Sequence, residues 1–127
     1  MNDILRLALD TAVQRGAEYA DARLVESRHE DIHVKDREVG ALDRSESAGI
    51  GVRVLVRGGW GYAATDELTR EGVSACAARA VAIGEASAGV LVDRVRLAPE
   101  PPHRAGWSSD CAVDPFSVPL ERKLDLL

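Results

Sequence analysis

His29-Glu30-Asp31-Ile32-His33 is the stretch whose residue types most directly suggest chemistry. Letter for letter it matches the His-Glu-x-x-His pattern, in which two imidazoles hold a zinc ion and the glutamate acts as general base. That chemistry requires a helix, where residues four apart rise about 6 Å along one face and both rings reach the metal at about 2.1 Å. Here the flanking residues alternate with a period of two: Glu30, Ile32 and Val34 fall on one side, Asp31, His33 and Lys35 on the other. On a strand, positions 29 and 33 share a face but stand about 13 Å apart, so one metal cannot join them. The stretch therefore reads as a solvent-facing strand carrying two histidines and a glutamate. A self-contained zinc enzyme at His29 and His33 is the rival reading, rejected on this geometry.

The remaining reactive groups are more scattered. Ser108-Ser109-Asp110 and His103 have hydrolase residue types, but Pro99, Pro101 and Pro102 place them in an extended segment that cannot fix a catalytic geometry. Gly49-Ile50-Gly51 and Gly58-Gly59-Trp60-Gly61 do not lie between a strand and a helix, so turns and bulges explain them better than phosphate binding. Cys76 and Cys111 are far apart and form neither a disulfide framework nor a zinc knuckle. Cys76 falls on an apolar helix face as a buried, inert thiol. Trp60 and Tyr62 alternate on one strand as core or interface residues. No catalytic, cofactor-binding or metal-binding residue is assigned within this chain.

The elements that would position these groups are those of an α+β fold. Ile4, Leu5, Ala8, Leu9, Ala12 and Val13 make a helical stripe, with Asn2 as cap and Gly16 as stop. Ala20, Ala22 and Leu24 open a strand, and a break at Ser27–His29 precedes a second one through Glu30, Ile32 and Val34. Asp36-Arg37 forms a turn into a weaker strand from Glu38 to Ser45. The clearest strand is Ile50 to Val56, joined to Trp60–Thr65 through a Gly58-Gly59 hairpin turn. Thr69 caps a second helix with Val73, Cys76, Ala77, Ala80, Val81 and Ile83 on its apolar face. Val90 to Leu97 reads as an edge strand. The expected architecture is an antiparallel sheet of four to five strands with two helices on one face, followed by a Pro-rich connector.

Residues 1–98 are expected to form the α+β domain, and 99–127 an extended connector with the start of a helix through Leu120, Leu124 and Leu127. That helix ends uncapped, so the chain reads as a piece of a longer one. The 127 residues suffice for one core; with a 46% hydrophobic and 29% charged composition they describe a soluble globular protein. Only 4% are aromatic, so Val, Leu, Ile and Ala must fill that core. A net charge of −5 argues against a nucleic-acid partner. No apolar run approaches transmembrane length and no signal peptide appears, which makes the cytoplasm the expected compartment and a membrane no expected partner.

Three segments resemble the N-terminal domain of the TldD/PmbA family of zinc metallopeptidases, once described as modulators of DNA gyrase. They are Gly16-Ala17-Glu18-Tyr19-Ala20-Asp21-Ala22-Arg23; Gly49-Ile50-Gly51-Val52-Arg53-Val54-Leu55-Val56, running on into Gly59-Trp60-Gly61-Tyr62-Ala63-Ala64-Thr65; and Asp114-Pro115-Phe116-Ser117-Val118-Pro119-Leu120-Glu121-Arg122-Lys123. The Gly-x-Gly-Val-Arg form is more similar to the TldD branch than to the TldE (PmbA) branch. The resemblance implies a two-part protein whose zinc sits on a His-Glu-x-x-x-His helix, with a further cysteine ligand, in a C-terminal domain. That motif has one more residue between its histidines than His29 and His33 have, and it is absent here. By the same resemblance, a TldD/TldE-type partner subunit or a second copy would complete a chamber for unfolded peptide. An exposed strand edge could guide the peptide by strand addition. The expected role is thus a non-catalytic domain shaping substrate access and assembly, inactive alone. The rival is a stand-alone interaction module, a gyrase modulator or a toxin–antitoxin partner.

Overall fold

The structure is a computed structural model and describes residues 2–127, the side chain of Asn2 excepted; the cap expected of Asn2 lies outside the described side chains. Three strands form one antiparallel sheet in the order β1-β2-β3, from β1 (Tyr19–Lys35), β2 (Glu38–Val56) and β3 (Gly59–Thr65). The helices are α1 (Asn2–Gln14), α2 (Arg70–Ala88) and the short α3 (Leu120–Leu124). The chain forms two compact units: residues 1–27 with 47–98, and residues 28–46 with 99–127.

In the first unit, the alternation of β2 decides which face is buried. Ile50, Val52, Val54 and Val56 point to one side and are at most 3% exposed, where they join Ala8 and Ala12 of α1 and Val73, Cys76, Ala77, Ala80 and Val81 of α2 in one core. α2 lies on β3, and α1 lies against α2. Glycine sets the closeness of the first contact. A Cβ on Gly61 would come 2.0 Å from the Ala80 carbonyl oxygen and 2.5 Å from the Gly84 amide nitrogen. One on Gly59 would meet the Ala88 amide nitrogen at 2.4 Å. The backbones of strand and helix therefore touch with nothing between them, which the Ala- and Gly-rich face of α2 permits. Thr69 caps α2 as expected, its hydroxyl accepting from the Gly72 amide at 3.0 Å.

The sheet has three strands, not four to five, because polar residues did not end them. The expected break at Ser27–His29 is absent, and Ser27 and Ser47 hydrogen-bond across the pair at 3.0 Å. The separate strands expected at Glu38–Ser45 and Ile50–Val56 are one, β2. Exposed polar positions remain strand when a partner supplies the ladder, a tertiary effect that local composition does not carry. Val90 to Leu97 is no strand: Val90 and Val92 are 82% and 97% exposed, and the Val95 amide donates to the carbonyl of Gly58 in the hairpin turn, at 3.1 Å, not to a strand.

Smaller corrections have equally local causes. The tight turn into β3 uses Arg57 (φ 49) and Gly58 (φ 81), one residue earlier than Gly58-Gly59, since Val56 pairs with Gly59. A two-residue turn of the I′ kind needs positive φ at both central positions, and Asp36 (φ 53) and Arg37 (φ 64) meet the same requirement in the first hairpin. Val13 and Ile83 are 61% and 41% exposed. Each falls at the margin of its helical stripe, and Gly84 takes the buried place expected of Ile83.

In the second unit, the ribbon 28–46 is met by residues 99–127. Residues 99–113 carry no helix or strand; Asp114 then caps a single 3-10 turn, Pro115–Ser117, by accepting from the Phe116 amide at 2.9 Å. Pro119 precedes α3, the helix start expected from Ser117-Val118-Pro119.

Candidate functional site

β1 carries His29 and His33 as strand residues, in agreement with the period-two reading. The His29 ring lies 3.6 Å from Asp31, and both side chains are largely exposed. Glu30 behaves otherwise. Its side chain is only 8% exposed and accepts from both Lys123 and Arg44, so it is not a solvent-facing residue. Arg28 on the same ribbon pairs with Asp114 at 3.5 Å, and its guanidinium stacks 4.5 Å above the Phe116 ring. No sequence signal links Glu30 to Lys123, 93 positions away. Among the described residues, no three His, Cys, Asp or Glu side chains gather as a metal site.

The pairing sets the titration of Glu30. Donation by Lys123 lowers its pKa from the ordinary 4.5 most strongly, partial burial opposes, and Arg44 lowers it further. A lowered pKa favours the folded state above the ordinary carboxylate value, and the benefit is lost as pH falls through the folded value. The stability difference between wild type and Glu30→Gln is thus expected to be constant above about pH 5 and to shrink in acid, read from urea melts at stepped pH. A gap that widens in acid would contradict the pairing.

In the first unit, the sheet face opposite the core bears Gly51, Arg53 and Leu55 of β2, paired with Ala64, Tyr62 and Trp60 of β3. Arg53 bonds Asp21 at 2.8 Å and lies 5.0 Å over the Trp60 ring, which Tyr19 meets edge-on at 5.9 Å. Asp21 holds the Arg53 guanidinium above its usual pKa, against partial burial. Tyr62, 59% exposed, lies over Gly51, whose absent side chain makes room for the ring. Beside it runs an open groove of about 510 Å³ lined by Val25, Ser47, Gly51, Tyr62, Thr65 and Asp66. Trp60 is therefore half-buried in an arginine–aromatic stack, while Tyr62 is a surface residue.

His103 bonds Glu100 at 3.0 Å, and Ser108, Ser109 and Asp110 lie exposed in a segment without regular structure. Cys76 is 5% exposed, and burial pushes its thiol pKa up against a smaller opposing effect of Arg79; Cys111 is exposed. Since the thiolate is the reactive form, a thiol reagent under native conditions is expected to label Cys111 quickly and Cys76 only after unfolding. Equal labelling rates on peptide mapping would contradict this burial.

The chain is thus an α+β fold with an apolar core, an outer sheet face built around the Arg53–Trp60 stack, and no metal cluster among its described residues. Residues 20–84, just over half of the chain, match the family described as PmbA/TldA metallopeptidase domain 1, and the chain belongs to that TldD/PmbA family as its N-terminal domain. It is 38% identical over 60 residues to a protein named "Metalloprotease" from Methanothermobacter thermautotrophicus, a stretch covering 47% of this chain and 13% of the relative. Its fold resembles a crystal structure from Bacteroides thetaiotaomicron solved under the description of a modulator of DNA gyrase. The TM-score is 0.75 at 18% identity, over 98% of this chain and 28% of that one. The chain thus spans about an eighth of the one relative and little over a quarter of the other.

Proposed function

We propose that the chain is the non-catalytic N-terminal domain of a TldD/PmbA-type zinc metallopeptidase, shaping the access of unfolded peptide and the assembly of subunits. The observation that carries this reading is the match to domain 1 of the family, on a chain spanning only a small part of its relatives' length. The strand geometry of His29 and His33 supports it, since it leaves that pair unable to share a metal. Zinc and the general base then belong to a C-terminal domain. A TldD/TldE-type subunit or a second copy is the partner, and the likeness of Gly49-Ile50-Gly51-Val52-Arg53 to the TldD form is what supports the TldD branch over the TldE (PmbA) branch. No helix of the described residues is long and apolar enough to cross a membrane, consistent with work in the cytoplasm.

The test is zinc-dependent hydrolysis of an unfolded protein substrate by the longest natural chain containing this one. Replacing a metal ligand or general base costs about 10²-fold or more. Changing His29 and His33 together to Ala is expected to leave the rate within about twofold, whereas a loss of that larger size would move the chemistry into this domain. The description of the Bacteroides protein favours a second reading, an interaction module acting on gyrase. Capture of gyrase by this chain, with no peptidase activity in the longest natural chain, would select it.

A further inference from the structure

We propose that residues 114–124 are a releasable strap on the ribbon 28–46: the two keep each other ordered, and they let go together while the core of the first unit stays folded. The ribbon has no core of its own. None of residues 28–46 is buried, and only Glu30, Ile32 and Val34, alternate positions on one face of β1, are half-buried. A two-stranded ribbon standing alone is marginally stable at best in water. The strap is no better supported. It holds one 3-10 turn and the five residues of α3, and neither contains a buried residue. Helices shorter than about 12 residues are marginal in isolation. Each piece therefore needs the other.

Side chains alone make the join, for among the described residues no backbone hydrogen bond runs between 114–124 and 28–46. The strap is fastened at two points. At one, Arg28 reaches Asp114 at 3.5 Å and stacks on the Phe116 ring. At the other, Glu30 takes Lys123 from the strap and Arg44 from the second strand of the ribbon. The two points differ in weight. Arg28 and Asp114 are 52% and 49% exposed, so water and salt screen that pair. Glu30 and Lys123 are 8% and 16% exposed, and a carboxylate so far removed from water depends on its cations. One carboxylate thus ties both strands of the ribbon to the strap. Opening takes Lys123 from Glu30 and also uncovers Val34 and Val39, which share a cleft with Leu124. Release is therefore one cooperative step.

Amide hydrogen exchange of the 127-residue chain, read by NMR, tests the coupling from both sides. Lys123→Met keeps most of the side-chain stem and removes its charge. Amides of the ribbon are expected to lose protection about tenfold or more, although the substitution lies in the strap. Glu30→Gln should do the same to strap amides such as that of Lys123, which donates to the Pro119 carbonyl at 3.2 Å. The two factors should not multiply in the double variant, because both substitutions break one contact. Amides of Val52 and Val54, in the core of the first unit, should keep their wild-type protection throughout. Ribbon protection indifferent to Lys123→Met, or factors that multiply, would overturn the proposal. So would an equal loss at Val52 and Val54, which would mean that the chain opens as a whole. None of these results touches where hydrolysis occurs, so this proposal can fail without the peptidase-domain reading.

Discussion

Gly61→Ala is expected to destabilise the chain by at least about 3 kcal/mol and to leave a large unfolded fraction at 37 °C. The added methyl would sit 2.0 Å from the Ala80 carbonyl oxygen and 2.5 Å from the Gly84 nitrogen. Both atoms belong to the backbone of α2, so no rotamer change relieves the clash and the helix must lift from β3. That movement would open the packing of Val73, Ala77 and Ala80 against the β2 valines, in a core with few large side chains to spare. Gly106→Ala is the control, because nothing lies within 4 Å of a Cβ there. Urea melts by circular dichroism measure both; equal midpoints would mean that strand and helix are not in the contact described.

Ile50→Ala is expected to cost about 2–5 kcal/mol, the usual range for truncating a fully buried Ile. Ile50 is 1% exposed, among the largest of the fully buried side chains, and pairs with Thr65 where β3 ends. With small neighbours such as Ala63, Ala77 and Ala80 there is little nearby volume to collapse into the gap, which favours the upper half of that range. At an urea slope of about 1–3 kcal/mol/M the midpoint should fall by about 1 M or more. Val13→Ala, at a 61% exposed position, should move it little. Matching shifts for the two variants would count against the core as drawn.

Much of this fold is legible in the residues because burial imposes a period. The alternation from Ile50 to Val56 and the stripe Val73, Cys76, Ala77, Ala80 and Val81 report directly on faces that meet a core. Where neither face is buried, the period vanishes. Ser27, Arg28 and His29 read as a break and Ser45, Glu46 and Ser47 as a boundary, yet cross-strand pairing carries strand structure through both. The reverse error arose at Val90–Leu97, whose alternation lacks a strand partner. The turn at Arg57-Gly58 reads one residue late because a second glycine follows it, and Gly59 is there for its contact with α2. For the site, the strand geometry of His29 and His33 was readable from their neighbours. The engagement of Glu30 by Lys123 and Arg44 was not, since long-range ion pairs leave no periodic trace.

The central claim, that this domain does not itself hold the catalytic metal, is met most directly by a calorimetric zinc titration of the 127-residue chain at neutral pH. The account predicts no saturable heat and the same trace for wild type and His33→Ala. One tight site in the wild type, lost in His33→Ala, would contradict it and return His29 and His33 to the centre of the chemistry.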